Sequence, residues 1–305
     1  MKVETMNHCD LTTGECGPMT GAEQETITLK LDQRVNVLYA TDPICSHCWA
    51  MEPGWRKLLF HYGDHMDARH VYGGLLPGWN GFEDAGAGIR NPADVAPHWD
   101  EVAEYYGQPL TGDVWRHDPL SSSYPPSVAV HTVRLMAPEQ EENYLRRIRQ
   151  ALFLEARNIA RTDVLVACAE DIGLDTAQFA ALYGANVGQA GFERDMRDMR
   201  QLPVRGFPTV IFADQDGNAR VVRGTQTFEA LERALLSVVT IAKSERQPTV
   251  DEALAAYGSG TTREFAELLN LSLEDTEAAL TVAGARREDR AGSALWHAPV
   301  AVMAE

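Results

Sequence analysis

The sequence predicts an α/β protein in which a sheet-and-helix unit is interrupted by a long helical insertion and followed by a small helical module. Three observations support this prediction. Residues 35–40 are mostly apolar, with β-branched and aromatic side chains typical of a buried strand, and a helical pattern begins soon after them. A second strand-like segment, residues 207–213, contains a proline near its start. Between the two segments, apolar residues recur at helical spacing over most of residues 93–201.

The stretch Cys45-Ser46-His47-Cys48 lies where the first strand ends and a helix begins, so Cys45 is at or near the helix start. Two thiols separated by two residues can close a tight disulfide ring. The free N–H groups of a first helical turn and the positive end of the helix dipole favour a thiolate over a thiol. His47 adds a donor or a positive charge beside that thiolate. The stretch predicts a redox dithiol, with Cys45 the more exposed and more acidic thiol and Cys48 the thiol that resolves a mixed disulfide.

The second informative feature is Phe207-Pro208-Thr209 at the start of the downstream strand. A proline cannot donate a hydrogen bond to a sheet, so in strands it occurs at an edge or at the first position. A proline in this place is a candidate for a cis peptide bond, although most X-Pro bonds are trans. The following residues predict a hairpin that ends near residue 222 and then a helix over about residues 227–243.

The order strand, Cys-x-x-Cys, helix, strand, insertion, x-Pro-Thr hairpin and final helix resembles the DsbA family of thioredoxin-fold oxidoreductases. Histidine at the second intervening position matches the form common in DsbA. The wider pattern D-P-x-C-x-x-C-W-A-x-E-P at residues 42–53 is more similar to a cytoplasmic branch of that family. This branch contains FrnE-type dithiol-disulfide isomerases and thioredoxin-like adaptors that deliver a redox-sensing transcription regulator to the ClpXP protease. The resemblance covers about residues 35–243.

The resemblance implies a thioredoxin fold with a large α-helical insertion, and thiol–disulfide exchange on protein or peptide substrates without a cofactor. It implies the catalytic residues Cys45, Cys48, His47 and Pro208, with His47 stabilising the Cys45 thiolate. It implies the substrate contacts Phe207, Thr209 and Trp49, with the Phe207 backbone pairing with an extended substrate segment. The helical spacing of Trp49 also fits a position in the core.

The bulk composition limits the choice of partners. The 305 residues suggest about two domains, and 27 basic against 44 acidic residues give a net charge of −17. This charge argues against nucleic acid or an anionic membrane surface as the partner. Neither an apolar leader nor a stretch of membrane-spanning length is present in the sequence, so a cytoplasmic location is expected. In a reducing compartment, paired cysteines are typical of catalysis or metal binding.

The N-terminal residues 1–33 predict a flexible tail that contains Cys9 and Cys16. The two cysteines either do nothing in a disordered leader or form a second dithiol that exchanges with Cys45 and Cys48. A zinc site built from all four cysteines has enough ligands. It is disfavoured because thioredoxin-type sites keep Cys45 free to react, and no metal is predicted.

The remaining boundaries follow from the prolines, glycines and helix-capping residues in the sequence. The thioredoxin-like part is predicted at residues 34–75 and 203–244, the insertion at 76–202 and the C-terminal module at 249–299. Helices in the insertion are expected at about 93–106, 125–136, 139–156, 162–172, 175–183 and 188–201. The module resembles a winged helix, with helices at about 251–257, 261–269 and 272–283 and two strands within 285–299. Its third helix is acidic, so protein docking or extension of the core is expected rather than DNA binding.

Two competing functions remain beside the oxidoreductase. One is an adaptor that binds a regulatory partner protein for proteolysis, with redox chemistry secondary. The other is a kappa-type glutathione transferase or chromene-carboxylate isomerase, which shares the inserted-helix thioredoxin fold. Those enzymes use a serine or a lone cysteine where this chain has the pair Cys45 and Cys48.

Overall fold

The computed structural model describes residues 8–10, 15–17 and 34–299. The chain divides into two compact units, Met1–Asp32 and Gln33–Glu305. The first unit contains the strands β1 (His8–Asp10) and β2 (Glu15–Gly17). The elements of the second unit are, in order, β3 (Val35–Thr41), α1 (Ser46–Ala50), α2 (Glu52–Tyr62), β4 (Met66–Tyr72), α3 (Pro92–Tyr106), α4 (Asp113–His117), α5 (Tyr124–Met136), α6 (Glu141–Phe153), α7 (Thr162–Asp171), α8 (Thr176–Gly184), α9 (Gln189–Gln201), β5 (Thr209–Ala213), β6 (Ala219–Arg223), α10 (Phe228–Leu236), α11 (Val250–Tyr257), β7 (Ser259–Thr261), α12 (Thr262–Leu269), α13 (Leu273–Val282), β8 (Arg286–Arg290) and β9 (Ser293–His297).

The described part of the first unit is a short hairpin. Strands β1 and β2 pair antiparallel, and the backbone of Cys9 lies opposite that of Cys16. The flexible tail expected over residues 1–33 otherwise lies outside the described residues, and so do the side chains of these two cysteines.

A four-stranded mixed sheet with the order β4-β3-β5-β6 forms the centre of the second unit. Strand β3 is parallel to β4 and antiparallel to β5. A parallel pair needs a crossover connection, which α1 and α2 supply. The side chains of Val35, Val37 and Tyr39 are buried, as the apolar pattern of this segment predicts. The fold is therefore the thioredoxin fold expected from the sequence, with a helical insertion between β4 and β5.

The helix that follows the hairpin is shorter than predicted. Helix α10 covers Phe228–Leu236 instead of residues 227–243. It begins as predicted, because the Thr227 side chain accepts a hydrogen bond from the Ala230 N–H. It stops where the run Val238-Val239-Thr240-Ile241 begins, since β-branched side chains lose rotamer freedom in a helix.

The insertion consists of helices α3 to α9, and its sequence-based helix predictions are close to the observed bounds. Helix α3 starts with a capping box between Asn91 and Asp94 and ends at Gly107, which adopts a left-handed φ of 67°. The sequence analysis missed α4, because a five-residue helix is too short to show a periodic pattern. Nearly all buried apolar side chains of the insertion form one cluster that also includes Trp49 of α1 and Tyr72 of β4.

The C-terminal module packs directly on the thioredoxin-like part. Helices α11, α12 and α13 and a sheet with the order β7-β9-β8 surround a core of their own, with Phe265 and Trp296 at its centre. Strand β7 was not predicted. Helix α12 lies against α2, where the buried Lys57 ammonium donates to the Asn270 side chain at 2.6 Å.

The charge pattern of the β8–β9 hairpin does not favour binding of a polyanion such as DNA. Each of its arginines, Arg286, Arg287 and Arg290, lies within ion-pair distance of a carboxylate. Within residues 34–299, no helix is both long and apolar enough to span a lipid bilayer.

Candidate active site

The two cysteines of the Cys-x-x-Cys stretch lie at the junction between β3 and α1, as the sequence predicts. Cys45 is the N-cap residue of α1, and its sulfur accepts a hydrogen bond from the Cys48 N–H at 3.2 Å. Both are free thiols. Cys45 is 4% exposed and Cys48 is fully buried, so Cys45 is the more accessible of the two, as expected.

The helix that carries the cysteines is broken at Met51, where α1 ends and α2 begins. Pro53 causes the break, because it has no N–H to donate and its ring collides with the carbonyl four residues earlier. A break of this kind is expected wherever a proline follows several residues into a helix. It limits α1 to five residues, so its first turn is nearly the whole helix.

The carboxylate of Asp42 holds the turn that leads to the cysteines. It accepts hydrogen bonds from the N–H groups of Ile44 (3.1 Å) and Leu75 (2.7 Å) and from the Ser123 hydroxyl (3.0 Å). It is fully buried, and burial raises its pKa to about 6 against the opposing effect of these hydrogen bonds and of Arg149. Asp42 therefore connects the dithiol turn to the end of β4 and to the insertion.

A buried arginine of the insertion lies beneath the dithiol turn. Arg149 of α6 is 1% exposed, and its guanidinium donates to Glu52 Oε1 at 2.6 Å and to Thr41 Oγ1 at 2.6 Å. Glu52 is thus a salt-bridged carboxylate. The sequence analysis missed Arg149. The available signal was an arginine on the same helical face as the apolar Leu145.

The ion pairs continue from this arginine into the C-terminal module. Glu52 also lies 3.4 Å from Arg146 of α6, which donates to Glu264 of α12 at 2.6 Å. The same Glu264 oxygen accepts from Arg56 of α2 at 3.1 Å. The carboxylate of Glu264 is fully buried, so these groups form one buried network that joins the three parts of the second unit.

The surroundings of the two sulfurs differ. Burial raises the pKa of Cys45 well above its ordinary value, and the hydrogen bond to Cys48 and the nearby Asp42 carboxylate act in the same direction. Burial alone would raise the pKa of Cys48 as well. The hydrogen bond from the Cys45 thiol, the Arg149 charge and the Thr41 hydroxyl outweigh it and lower that pKa. The two thiols share a hydrogen bond, so these directions belong to the pair, and the expectation that Cys45 is the more acidic thiol stays a prediction.

The His47 ring packs against helix α3. It stacks on His98 of α3 with 5.5 Å between centroids and meets Tyr106 edge-on. Burial and the neighbouring His98 lower its pKa, so the ring is neutral at physiological pH. Among the described residues, no hydrogen bond joins the His47 ring to either sulfur. The positive charge expected beside Cys45 is therefore absent.

The proline segment lies at the start of β5, the strand that neighbours β3 in the sheet. The Phe207–Pro208 peptide bond is cis, which confirms the sequence-based candidate. Because Thr209 of β5 lies opposite Ala40 of β3, Pro208 is at the end of β3 that leads to the dithiol. The Phe207 ring packs so closely on Gly73 that a Cβ there would lie 1.8 Å from it.

Two of the expected substrate contacts are wrong. Thr209 is 1% exposed, donates its hydroxyl to the Gly206 carbonyl at 2.7 Å, and has its backbone paired with both β3 and β6. Trp49 is fully buried, where it stacks on Phe153 and donates to the Pro109 carbonyl at 2.8 Å. Neither side chain can reach a substrate, since each is covered by the protein's own core.

Cys45 and Phe207 both line a cavity of about 1130 Å³, named here the dithiol cleft. Its walls are mixed in polarity, and their aromatic and apolar side chains include Trp79, Phe82, Trp115, Tyr124, Met196 and Met199. The charged residues Asp84, Glu101, Arg200 and Arg205 also contribute to the lining. Across the part of the chain that the structure describes, no three histidine, cysteine or acidic side chains cluster as they do around a metal ion.

This sheet, the dithiol at a helix start and the adjoining cis-proline define a thioredoxin-fold protein of the DsbA type. The family model described as thioredoxin matches residues 39–233, and the chain belongs to that family. Among its relatives is the ClpXP adapter protein SpxH of Halalkalibacterium halodurans, 29% identical over 278 residues and 90% of each chain. SpxH of Shouchella clausii is 29% identical over 279 residues, again 90% of each chain.

A solved structure resembles the same region. It is the cytosolic disulfide reductase DsbM from Pseudomonas aeruginosa with GSH, which is 26% identical to this chain. The match covers 67% of this chain and 100% of that one, with a TM-score of 0.52. The chain is thus similar both to a disulfide reductase and to proteins named as protease adapters.

Proposed function

We propose that the chain is a thiol–disulfide oxidoreductase or isomerase that acts on protein or peptide disulfides through Cys45 and Cys48. The observation that carries the proposal is a pair of free thiols at a helix start, one of which lines the dithiol cleft together with Phe207. Among the described residues, no hydrogen bond outside the regular elements engages the Phe207 backbone. That backbone can therefore pair with an extended substrate segment beside the sulfurs.

The reaction consists of two exchanges. The Cys45 thiolate attacks a substrate disulfide, forming a mixed disulfide and releasing one substrate thiolate. The Cys48 thiolate then attacks the Cys45 sulfur, which closes the Cys45–Cys48 disulfide and releases the second substrate thiolate. The substrate gains two electrons and the dithiol loses two, so turnover needs a thiol reductant such as glutathione. If another thiolate of the substrate attacks the substrate sulfur of the mixed disulfide instead, a new substrate disulfide forms, the Cys45 thiolate leaves, and the net result is isomerisation.

The proposal assigns this chemistry to the cytoplasm, where a reducing poise favours reduction or isomerisation over net oxidation. The similarity to a cytosolic disulfide reductase supports this assignment. Insulin reduction with glutathione as the electron donor tests it. Cys45→Ala should abolish turnover, whereas Cys168→Ala, which removes a buried thiol far along the chain, should leave it unchanged. Wild-type protein without turnover, or a fully active Cys45→Ala variant, would contradict the proposal.

A second candidate function is adaptor activity, favoured by the two relatives named as ClpXP adapters over nine tenths of their length. In this case the chain binds a regulatory protein and presents it to the protease, and the dithiol is secondary. Reconstituted ClpXP degradation of a redox-sensing regulator, with and without this chain, separates the two functions. If the chain is an adaptor, its Cys45→Ala variant still accelerates degradation of the regulator. If it is an oxidoreductase, the Cys45→Ala variant does not.

We extend the proposal to Cys9 and Cys16 as a second dithiol that exchanges with the first. The antiparallel register that sets the two backbone positions opposite each other supports their pairing. Intact mass after alkylation, with and without prior reduction, tests it in the variant that lacks Cys45 and Cys48. A reduction-dependent gain of two alkyl groups is expected, and no difference between the samples would remove the second dithiol.

A further inference from the structure

The wall of the dithiol cleft that ends at Phe207 is formed by the second half of α9 and the segment after it. Asp195 fixes this helix on the sheet, because its buried carboxylate accepts hydrogen bonds from the Tyr72 N–H of β4 at 3.1 Å and from the Arg69 guanidinium of β4 at 2.7 Å. The residues of this wall that line the cleft are Met196, Met199, Arg200, Val204, Arg205 and Gly206. A buried anchor thus sets the position of the wall.

Two residues of this wall are arginines without a partner. Arg200 lies one helical turn after Met196, on the same face of α9, and Arg205 precedes Phe207 by two residues. Both arginines are exposed, and within residues 34–299 neither guanidinium has a hydrogen bond or an ion pair. A guanidinium keeps its positive charge at every accessible pH. The wall therefore presents two permanent positive charges whose donors are free for a ligand.

The acidic residues of the cleft come from other elements. Asp84 belongs to the loop before α3, and its carboxylate accepts hydrogen bonds from two N–H groups of that loop. Glu101 is on α3, three residues after His98, whose ring stacks on His47. The acidic groups thus come from α3 and the loop before it, and the basic groups come from the segment that ends at Phe207.

The charge of the whole chain makes this arginine pair, Arg200 and Arg205, distinctive. With 44 acidic and 27 basic residues, the chain as a whole repels an acidic partner. Other arginines of the insertion already have carboxylate partners, such as Arg134 with Glu141 at 2.5 Å. The arginine pair supplies the opposite charge at the place where a substrate disulfide would meet Cys45.

We propose that Arg200 and Arg205 recognise a carboxylate of the substrate, so that the preferred substrates are peptide or protein segments with an acidic residue within a few positions of the reacting cysteine. This inference rests on the proposed exchange and names its substrate class. A substrate strand that pairs with the Phe207 backbone passes the segment before Phe207, which brings acidic side chains near its cysteine within reach of the arginine pair. A guanidinium can bind a carboxylate through two parallel hydrogen bonds.

The test compares two synthetic peptides that differ only in having aspartate or asparagine on both sides of a single cysteine. Each peptide is joined through that cysteine to uncharged 2-thiopyridine as a mixed disulfide. The Cys45 thiolate attacks the peptide sulfur, a Cys45–peptide disulfide forms, and the pyridine thiolate leaves and takes up a proton as the coloured thione. Stopped-flow absorbance measures this step with the reduced protein, and the rate of each peptide with dithiothreitol corrects for intrinsic reactivity.

The corrected rate of wild type should favour the aspartate peptide about fivefold at low salt, as expected for exposed ion pairs. Added salt should bring this preference toward one. Arg200→Gln combined with Arg205→Gln should reduce the preference to about one as well, because both ion pairs are lost. The matched control is Arg194→Gln, which removes an exposed arginine of the same helix that does not line the cleft and should keep the preference.

Three results would overturn the inference. The wild type could show no preference, the double variant could keep it, or Arg194→Gln could lose it to the same extent. If wild type releases thione from neither peptide faster than Cys45→Ala does, the proposed exchange fails instead. Binding of the S-methylated peptides, measured by fluorescence anisotropy, then tests the arginine pair alone. Wild type should bind the aspartate peptide about fivefold more tightly, and equal affinities would refute the pair.

Discussion

Replacing Glu264 by glutamine should destabilise the whole second unit. The carboxylate is fully buried and accepts hydrogen bonds from Arg146 (2.6 Å), Arg56 (3.1 Å), Gln108 (3.2 Å) and the Thr261 N–H (2.8 Å). Glutamine removes the negative charge and turns one acceptor oxygen into a donor that faces the guanidinium groups. Breaking one partner of a buried ion pair costs about 3–5 kcal/mol, because the remaining charge stays buried and unpaired.

Urea unfolding followed by circular dichroism measures this loss. The matched control is Asp289→Asn in the same C-terminal module. The Asp289 side chain is 81% exposed and pairs with Arg287 at 2.9 Å, so its replacement should cost about 1 kcal/mol or less. Since Glu264 joins α12 to α2 and α6, the loss should appear as a shift of one cooperative transition.

The pH dependence supplies a second check on the same variant. The Glu264 pKa lies below its ordinary value of 4.5, because the arginines and hydrogen bonds outweigh the opposing effect of burial. A depressed pKa contributes stability above the unfolded value that is lost as pH falls through the folded value. The difference between wild type and Glu264→Gln should therefore shrink below about pH 4.5. A Glu264→Gln variant within 1 kcal/mol of wild type at neutral pH, the same bound as the surface control, would refute the account of the network.

Three further predictions concern the site. Since folding raises the Asp42 pKa from 3.8 to about 6, wild type should lose about 3 kcal/mol from this group as pH rises through that range. Asp42→Asn should lack that slope in urea unfolding, and equal slopes would contradict it. Because His47 is neutral and stacked on His98, His47→Phe should keep insulin reduction within about threefold of wild type; a loss beyond tenfold would contradict this. Trp49→Phe should lower unfolding free energy by about 1–3 kcal/mol without changing the substrate KM, and a raised KM would show substrate contact.

Local signals in the sequence were sufficient for the position of the dithiol and of the cis-proline. A strand followed by Cys-x-x-Cys, and a proline at a strand start, are features of a few neighbouring residues, and each constrains the backbone directly. The break at Pro53 was predictable for the same reason. These elements fix which ends of β3 and β5 meet.

The electrostatics of the site were not predictable in this way. The helix-dipole argument for Cys45 considers one turn of one helix, and α1 has only five residues. The buried charge beneath the dithiol turn comes from Arg149, about a hundred residues later, and depends on how α6 packs on the sheet. The burial of Trp49 and Thr209 likewise comes from tertiary contacts, with the insertion in one case and with two paired strands in the other.

Trapping on the Cys48→Ala variant tests the central claim most directly. Reduced variant is mixed with a synthetic peptide disulfide, and intact mass is measured with the wild type and Cys45→Ala in parallel. The two-step exchange predicts a stable adduct of one peptide on Cys45 in Cys48→Ala, a closed disulfide without adduct in wild type, and no adduct in Cys45→Ala. A folded Cys48→Ala variant that accumulates no peptide on Cys45 would contradict the assignment of this chain to thiol–disulfide exchange.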